Sequence, residues 1–233
     1  MGMAREEHIR KIILGGGCCL AFGAAFTNVG VVLETGVSVS HLTGDISLLS
    51  MDLSHWSPDA VSESARVVAA AVAFFLGAFV SGYLIHHPSL DLARPYGRAI
   101  TGIGLLFIVS GLLIPHFPGL GIAAAAFGCG LQNSLSTNYE GIILRTTHLT
   151  GLVTDCGSAL GMRLRGYHVP PRLFLVPGLL GFSFLAGGIC SGLMFFRLPL
   201  DVVTFAGCAY IAAGIAWSVA KRIWLADEGK ADS

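Results

Sequence analysis

The sequence predicts an all-α integral membrane helical bundle of six spans plus two re-entrant half-helices, arranged as two inverted repeats. Three observations predict it: long charge-free apolar stretches, a tetrapeptide that occurs twice, and basic residues gathered on one side of the resulting spans. Of 233 residues, 54% are hydrophobic and 12% charged, about half the charged share with which a soluble domain keeps its surface wet. That balance excludes a disordered chain, a coiled coil and a nucleic-acid-binding module. With a formal net charge of zero, no global field draws polyions.

Six stretches lack Asp, Glu, Lys and Arg: Ile12 to Leu33, Val67 to Ile85, Ala99 to Pro115, Phe117 to Tyr139, Leu173 to Phe196 and Val202 to Ala220. Their lengths are 22, 19, 17, 23, 24 and 19 residues. A hydrocarbon core about 30 Å thick needs roughly 17 to 25 helical residues, so each qualifies, the third at the lower limit. Gly15-Gly16-Gly17 open the first stretch and no small-residue cleavage site closes it, so it is expected to stay in the mature protein.

Lys and Arg are retained on the cytoplasmic side of short loops. With the N-terminus inside and six spans, the inner side receives twelve basic residues and the outer side only Arg66 and Arg197. Two further spans, near residues 43–54 and 149–161, would lower the ratio to ten against four. Six spans with both termini cytoplasmic is therefore the expected topology.

His41-Leu42-Thr43-Gly44 recurs as His148-Leu149-Thr150-Gly151, an offset of 107 residues. At the same offset Gly23 meets Gly130, Ser40 meets Thr147, Ile46 meets Val153 and Ser47 meets Thr154. Farther on, Phe74, Gly77, Ser81 and Gly82 recur as Phe184, Gly187, Ser191 and Gly192, now at an offset of 110. The chain reads as one unit repeated, 12–115 and 117–220. Each copy has three crossings, an odd number, so the second enters the membrane from the opposite side. The segment after each tetrapeptide, His41 to about Leu53 and His148 to Leu160, is roughly 18 Å of helix and too short to span. Thr43 and Thr150 are expected N-caps, with Asp45 in the first turn, where the helix dipole favours a carboxylate. Interrupted backbone at membrane depth needs burial in protein or access to water, so the two turns are expected to line a cavity.

These residues resemble the YoaK family of bacterial membrane proteins, also called domain of unknown function 1275. The resemblance rests on Val37 to Ser47, with Ser-His-Leu-Thr-Gly-Asp at its centre, and on Gly130-Leu131-Gln132-Asn133 followed by Arg145 to Gly151 and Thr154-Asp155. It covers nearly the whole chain and implies six spans in the bacterial cytoplasmic (inner) membrane, with no settled activity. The chain departs from the family pattern twice. Thr43-Gly44-Asp45 stands where Thr-Gly-Asn is usual, and Thr27 or Asn28 stands where the first span usually carries an Asp.

Ionisable groups inside apolar segments are rare enough to mark function. His41 and His148 read either as titratable proton or substrate ligands or as interfacial imidazoles bonded to a carbonyl. Asp45 and Asp155 read as coupling carboxylates or as solvated caps. Arg145 is placed to meet an anion beside a half-helix N-terminus, or serves as a cytoplasmic loop charge. The mid-span amides Gln132 and Asn133 need partners and either line the cavity or tie helices together. His41, Thr43 and Asp45 with Thr147, His148, Thr150 and Asp155 are expected to face one central cavity, the half-helix dipoles favouring an anion or organic acid slightly over a cation. The Phe-x-x-Gly-x-x-x-Ser-Gly stripes are expected to pack helices closely, within the chain or in a homo-oligomer. Pro170-Pro171 is expected to start the fifth span, and Pro177 to kink it.

Six cysteines without a Cys-x-x-Cys pair read as small hydrophobes, with no disulfide and no metal site expected. No Gly-x-Ser-x-Gly, His-Glu-x-x-His, Walker or dinucleotide fingerprint occurs, so neither ATP nor another cofactor is expected. The function expected is a secondary transporter or permeability pathway for a small solute, coupled to protons. The alternatives are a membrane-embedded enzyme using His148 and Asp155 on a lipidic or quinone-like substrate, and a non-catalytic accessory subunit. The expected partners are the lipid bilayer and a small molecule or ion.

Overall fold

A computed structural model describes residues 2–54, 58–84, 96–135, 138–139, 142–143 and 146–231. Along them run α1 (Gly2–Thr35), α2 (Leu42–Ser54), α3 (Pro58–Leu84), α4 (Tyr96–Leu113), α5 (Pro118–Ser134), β1 (Asn138–Tyr139), β2 (Ile142–Ile143), α6 (Leu149–Leu164), α7 (Arg172–Arg197) and α8 (Val202–Ala231). Five stretches are long and apolar enough to cross a membrane: Lys11–Thr35, Val61–Leu84, Tyr96–Leu113, Arg172–Arg197 and Val202–Ile223. Only 22% to 39% of each apolar window is buried within the protein. Phe75, Phe79, Phe182 and Phe196 stand well exposed, while Thr27, Asn28, Ser110 and Gln132 are inside. Such a surface needs an apolar solvent.

Three expectations are corrected. The stretch Phe117 to Tyr139 is helical only to Ser134, leaving α5 at 17 residues, about 25 Å of helix. Asn133 and Ser134, in its last turn, are residue types whose side chains compete with helical backbone bonds. The Leu135 N–H turns back to the Gln132 carbonyl (3.0 Å). A minimal antiparallel ladder follows, Asn138 opposite Ile143 and Tyr139 opposite Ile142, the one departure from helix among the described elements. The second short helix extends past Leu160 to Leu164. It ends in a Schellman closure, Tyr167 N–H to the Met162 carbonyl and Gly166 N–H to that of Arg163, which needs the positive φ of Gly166 (91°). Finally, Thr43 and Thr150 are not caps. The Gly44 and Asp45 N–H groups bond to the His41 carbonyl, and the Leu152 N–H bonds to that of His148, so the histidines close the first turns. The threonine carbonyls accept the hydroxyls one turn on, Ser47 to Thr43 and Thr154 to Thr150, both at 2.9 Å.

Glycine sets the packing. An added Cβ on Gly104 would lie 2.6 Å from the Gly207 carbonyl, and one on Gly207 would lie 2.6 Å from that of Gly104. Gly97 and Gly214 meet in the same reciprocal way. These pairs make α4 and α8 antiparallel, and Gly97 and Gly104 stand 110 residues before Gly207 and Gly214. α5 lies antiparallel to α4, Gly121 on Ile114 and Gly128 on Phe107. α8 lies antiparallel to α1, Gly30 on Val202 and Gly23 on Tyr210. α1 and α7 run the same way, Ala21 clustering with Leu180 and Phe26 with Met194, and Gly187 sits against the Phe22 carbonyl. Thus α1, α4 and α7 point one way and α5 and α8 the other. Gly77 packs on the Phe127 carbonyl and Gly130 on that of Phe74, so the small-residue stripes are used within the chain. Gly82 and Gly192, at their ends, lie open.

α7 starts after Pro170-Pro171 as expected and carries Pro177 inside it. Proline has no N–H, so the carbonyl four residues back loses its helical partner. That carbonyl, Leu173, is met by the Cys156 thiol of α6 at 3.9 Å.

Replacing Gly104 with Ala is expected to destabilise the bundle by about 1–3 kcal/mol through overpacking. Gly102→Ala, two residues away with open space at its Cα, is expected to stabilise by up to about 1 kcal/mol. Thermal unfolding of the two variants in one detergent checks the pair; equal effects would mean that the α4–α8 contact does not constrain the fold.

Candidate functional site

Each repeated turn is tied to the span before it by an asparagine. In the first copy Asn28, 5% exposed, uses Oδ1 to accept the Ser38 hydroxyl (3.1 Å) and the Val39 N–H (3.0 Å). Ser38 Oγ in turn accepts the His41 N–H (3.0 Å). Segment 36–41 is thereby held in the core, with Val37 and Val39 buried. The His41 ring is half-buried and meets Phe184 of α7 edge-on, centroids 5.6 Å apart; burial holds the imidazole below its ordinary value. Asp45 is 7% exposed. Burial pushes its carboxyl up to about 6, opposed by the nearby Ser38 hydroxyl.

In the second copy Asn133 Oδ1 accepts the Thr147 hydroxyl (3.1 Å). Beside it Gln132, 1% exposed, donates Nε2–H to the Leu20 carbonyl (2.9 Å) and to Thr146 Oγ1 (3.2 Å). Its Oε1 accepts the Tyr210 hydroxyl at 2.6 Å. One amide thus joins α1, α5, α8 and the turn before α6. The Tyr210 ring packs edge-on against Phe107 (5.1 Å) and fills the space that Gly23 leaves on α1.

That cluster borders a cavity of about 520 Å³. Ile12, Gly16, Leu20 and Phe22 of α1 line one wall and Phe205, Ala209, Ala213 and Trp217 of α8 the other, with Tyr96 and Ile100 of α4 between. Its volume suits a small-molecule site. Among the described residues no charged side chain lines it. Of the residues expected from sequence, only Gln132 borders this cavity. Asn133 and Thr147 stand behind it, while His41 and Asp45 belong to the first turn. Thr43, His148, Thr150 and Asp155 are exposed, and Arg145 lies outside the described residues. Two contributors were missed from sequence, Thr146 and Tyr210. A tyrosine in an apolar span does carry a signal, because its hydroxyl needs a partner.

Five helices long and apolar enough to cross a bilayer, with polar groups turned inward, define a multi-pass helical membrane protein. Residues 16–218 match the family model described as protein of unknown function (DUF1275), and the chain belongs to that family. No curated protein and no solved structure matches it.

Gln132→Leu leaves the Tyr210 hydroxyl buried without a partner and is expected to cost about 1–3 kcal/mol. Tyr210→Phe is expected to cost about 1 kcal/mol, and the double variant less than the sum of the two. Chemical denaturation of the four proteins measures the coupling; strict additivity would dissolve the cluster as an energetic unit.

Proposed function

We propose that the protein is a secondary transporter or permeability pathway for a small solute, built from inverted repeats 12–115 and 117–220. It sits in the cytoplasmic membrane with both termini on the cytoplasmic side. The observation that carries this reading is the convergence of the two half-helix starts on the middle of one span. His41 touches Phe184, and Leu149, next to His148, packs 3.4 Å from where a Cβ on Gly181 would lie. Three residues of α7 separate these contacts, about 4.5 Å of rise. Half-helices meeting near the midplane, with their N-terminal ends inward, are the means by which repeat-built transporters present N–H groups to a solute.

The opposed directions of α1 and α5, and of α4 and α8, support inversion, as do the reciprocal glycine pairs at the offset of 110. In this reading α5 is a sixth, short span. The cavity between α1 and α8 is the candidate solute pathway. Its uncharged lining favours a neutral or amphipathic solute that meets the Gln132–Tyr210–Thr146 cluster, over a permanently charged ion.

Labelling of single cysteines in a cysteine-free background tests the topology. His116→Cys and Pro199→Cys, in the α4–α5 and α7–α8 connections, are expected to react from outside, and Tyr167→Cys, between α6 and α7, only from inside. Reaction of all three from one face removes the inverted arrangement. Uptake of a panel of neutral and weakly acidic solutes into proteoliposomes tests the activity, with at least a severalfold loss expected in Gln132→Leu; a panel with no protein-dependent uptake would count against transport.

A further inference from the structure

We propose that the cavity between α1 and α8 is a blind-ended bore for one acyl chain, and that its ligand is a long-chain carboxylate bound tail first, with its head at the Ile12–Trp217 mouth. The proposal deepens the transport reading by naming the class of solute, and it rests on that reading only for the use of the site, not for binding itself.

The shape follows from where the two helices touch. α1 and α8 meet where Gly30 packs on Val202 and Gly23 on Tyr210. Two turns earlier on α1, a Cβ added to Gly16 would find nothing within 4 Å, so the gap opens toward the start of α1. At the other end the Phe26 and Phe205 rings meet across it, centroids 6.0 Å apart, and stop the bore. The wall on α1 runs from Ile12 to Phe26, about 21 Å of helix. That is more than half of a hydrocarbon core about 30 Å thick, the reach of one extended acyl chain. Spread along the same length, 520 Å³ is a bore of about 25 Å², wide enough for one methylene chain and too narrow for two.

The chemistry of the lining agrees. Both amide hydrogens of Gln132 are spent on the Leu20 carbonyl and on Thr146, and the Tyr210 hydroxyl is spent on Gln132. These groups ask nothing of an occupant, and a bare chain passes them without breaking a bond. Such a chain comes from lipid, so expulsion of water does not drive its entry. What favours it is that an empty bore deprives its walls of the contacts that packed side chains otherwise make. The mouth is different. Tyr96 and Trp217 stand there, residue types that settle at a membrane–water interface. The indole N–H of Trp217 is buried without a partner among the described residues, and a head-group oxygen would supply one. Lys11, Arg98 and Arg222 flank the mouth residues in sequence and are exposed. Among the described side chains of that end the acidic one is Glu7, paired with Lys11 at 2.7 Å. The surplus of positive charge suits an anionic head. A carboxylate with one chain is held entire, whereas a diacyl lipid would leave its second chain outside.

Quenching of Trp217 fluorescence tests the site without any transport assay. The full chain carries Trp56→Phe and Trp224→Phe, leaving Trp217 as the reporter, and sits in phosphatidylcholine bilayers. The probes are stearic acids with a nitroxide near the carboxyl or near the methyl end, and the signal is the part of the quenching that excess palmitate displaces. That part is expected to be saturable and severalfold larger for the carboxyl-end label. Gly16→Leu, which places a side chain in the open bore, is expected to abolish it. Gly102→Leu, on α4 with equally open space but away from the cavity, is expected to leave it unchanged. No displaceable quenching, a larger effect from the methyl-end label, or a signal that survives Gly16→Leu overturns the proposal. Displacement by phosphatidylglycerol as effective as by palmitate assigns the bore to a membrane phospholipid and overturns the carboxylate. Uptake of another solute by a protein that fails these tests would overturn the acyl-chain site alone and leave the transport reading standing; displaceable binding without any uptake would do the reverse.

Discussion

Polar groups between apolar helices have to find partners within the protein, and two asparagines supply them here, Asn28 to the Val39 N–H and Asn133 to the Thr147 hydroxyl. Asn28, two turns before the end of α1, and Asn133, in the last turn of α5, each hold the turn that follows. Without Asn28 the Val39 N–H and the Ser38 hydroxyl would be unpaired in the core, and segment 36–41 would have no reason to stay folded against α7. Helices α2 and α6 can be short and apolar on their outer faces because their starts are fixed by side chains of the preceding helices.

The same economy governs the contacts between spans. Lipid tails are as apolar as leucine, so helices associate by close approach and by polar pairs rather than by expelling water. Glycine supplies the approach at Gly77, Gly104, Gly187 and Gly207. Gln132 supplies the polar pairing, binding α1, α8 and the second turn with one amide. The exposed phenylalanines need no partner in the chain, since lipid is their solvent.

Much of this was legible in the sequence because membranes simplify the problem. Charge-free length marks five spans directly, and the duplicated His-Leu-Thr-Gly marks both short helices. What escaped depended on tertiary capture. The end of α5 is set where the Leu135 N–H turns back to the Gln132 carbonyl, which a count of apolar residues reads straight through. Thr43 and Thr150 look like caps until the histidine carbonyls are seen to close the first turns. Tyr210 looks like packing until its hydroxyl is found on Gln132, 78 residues away. Asp45 and Asp155 look alike in sequence, yet one is buried and the other exposed, because Asp45 follows the tetrapeptide directly and faces inward while Asp155 lies farther round its helix.

The crossing of α4 and α8 has a mechanical consequence. Interlocked side chains act as teeth, and helices joined by them must unpack before they can move past one another. At Gly97, Gly104, Gly207 and Gly214 the two backbones touch, and the space each missing side chain leaves is filled from the opposite helix, by Ser218, Ile211, Ile108 and Thr101. Such a joint is interlocked on both sides, and α4 and α8 cannot slide past one another without unpacking it. The pair therefore moves as one lever, and a small tilt at the crossing becomes a larger displacement at the far ends of both helices.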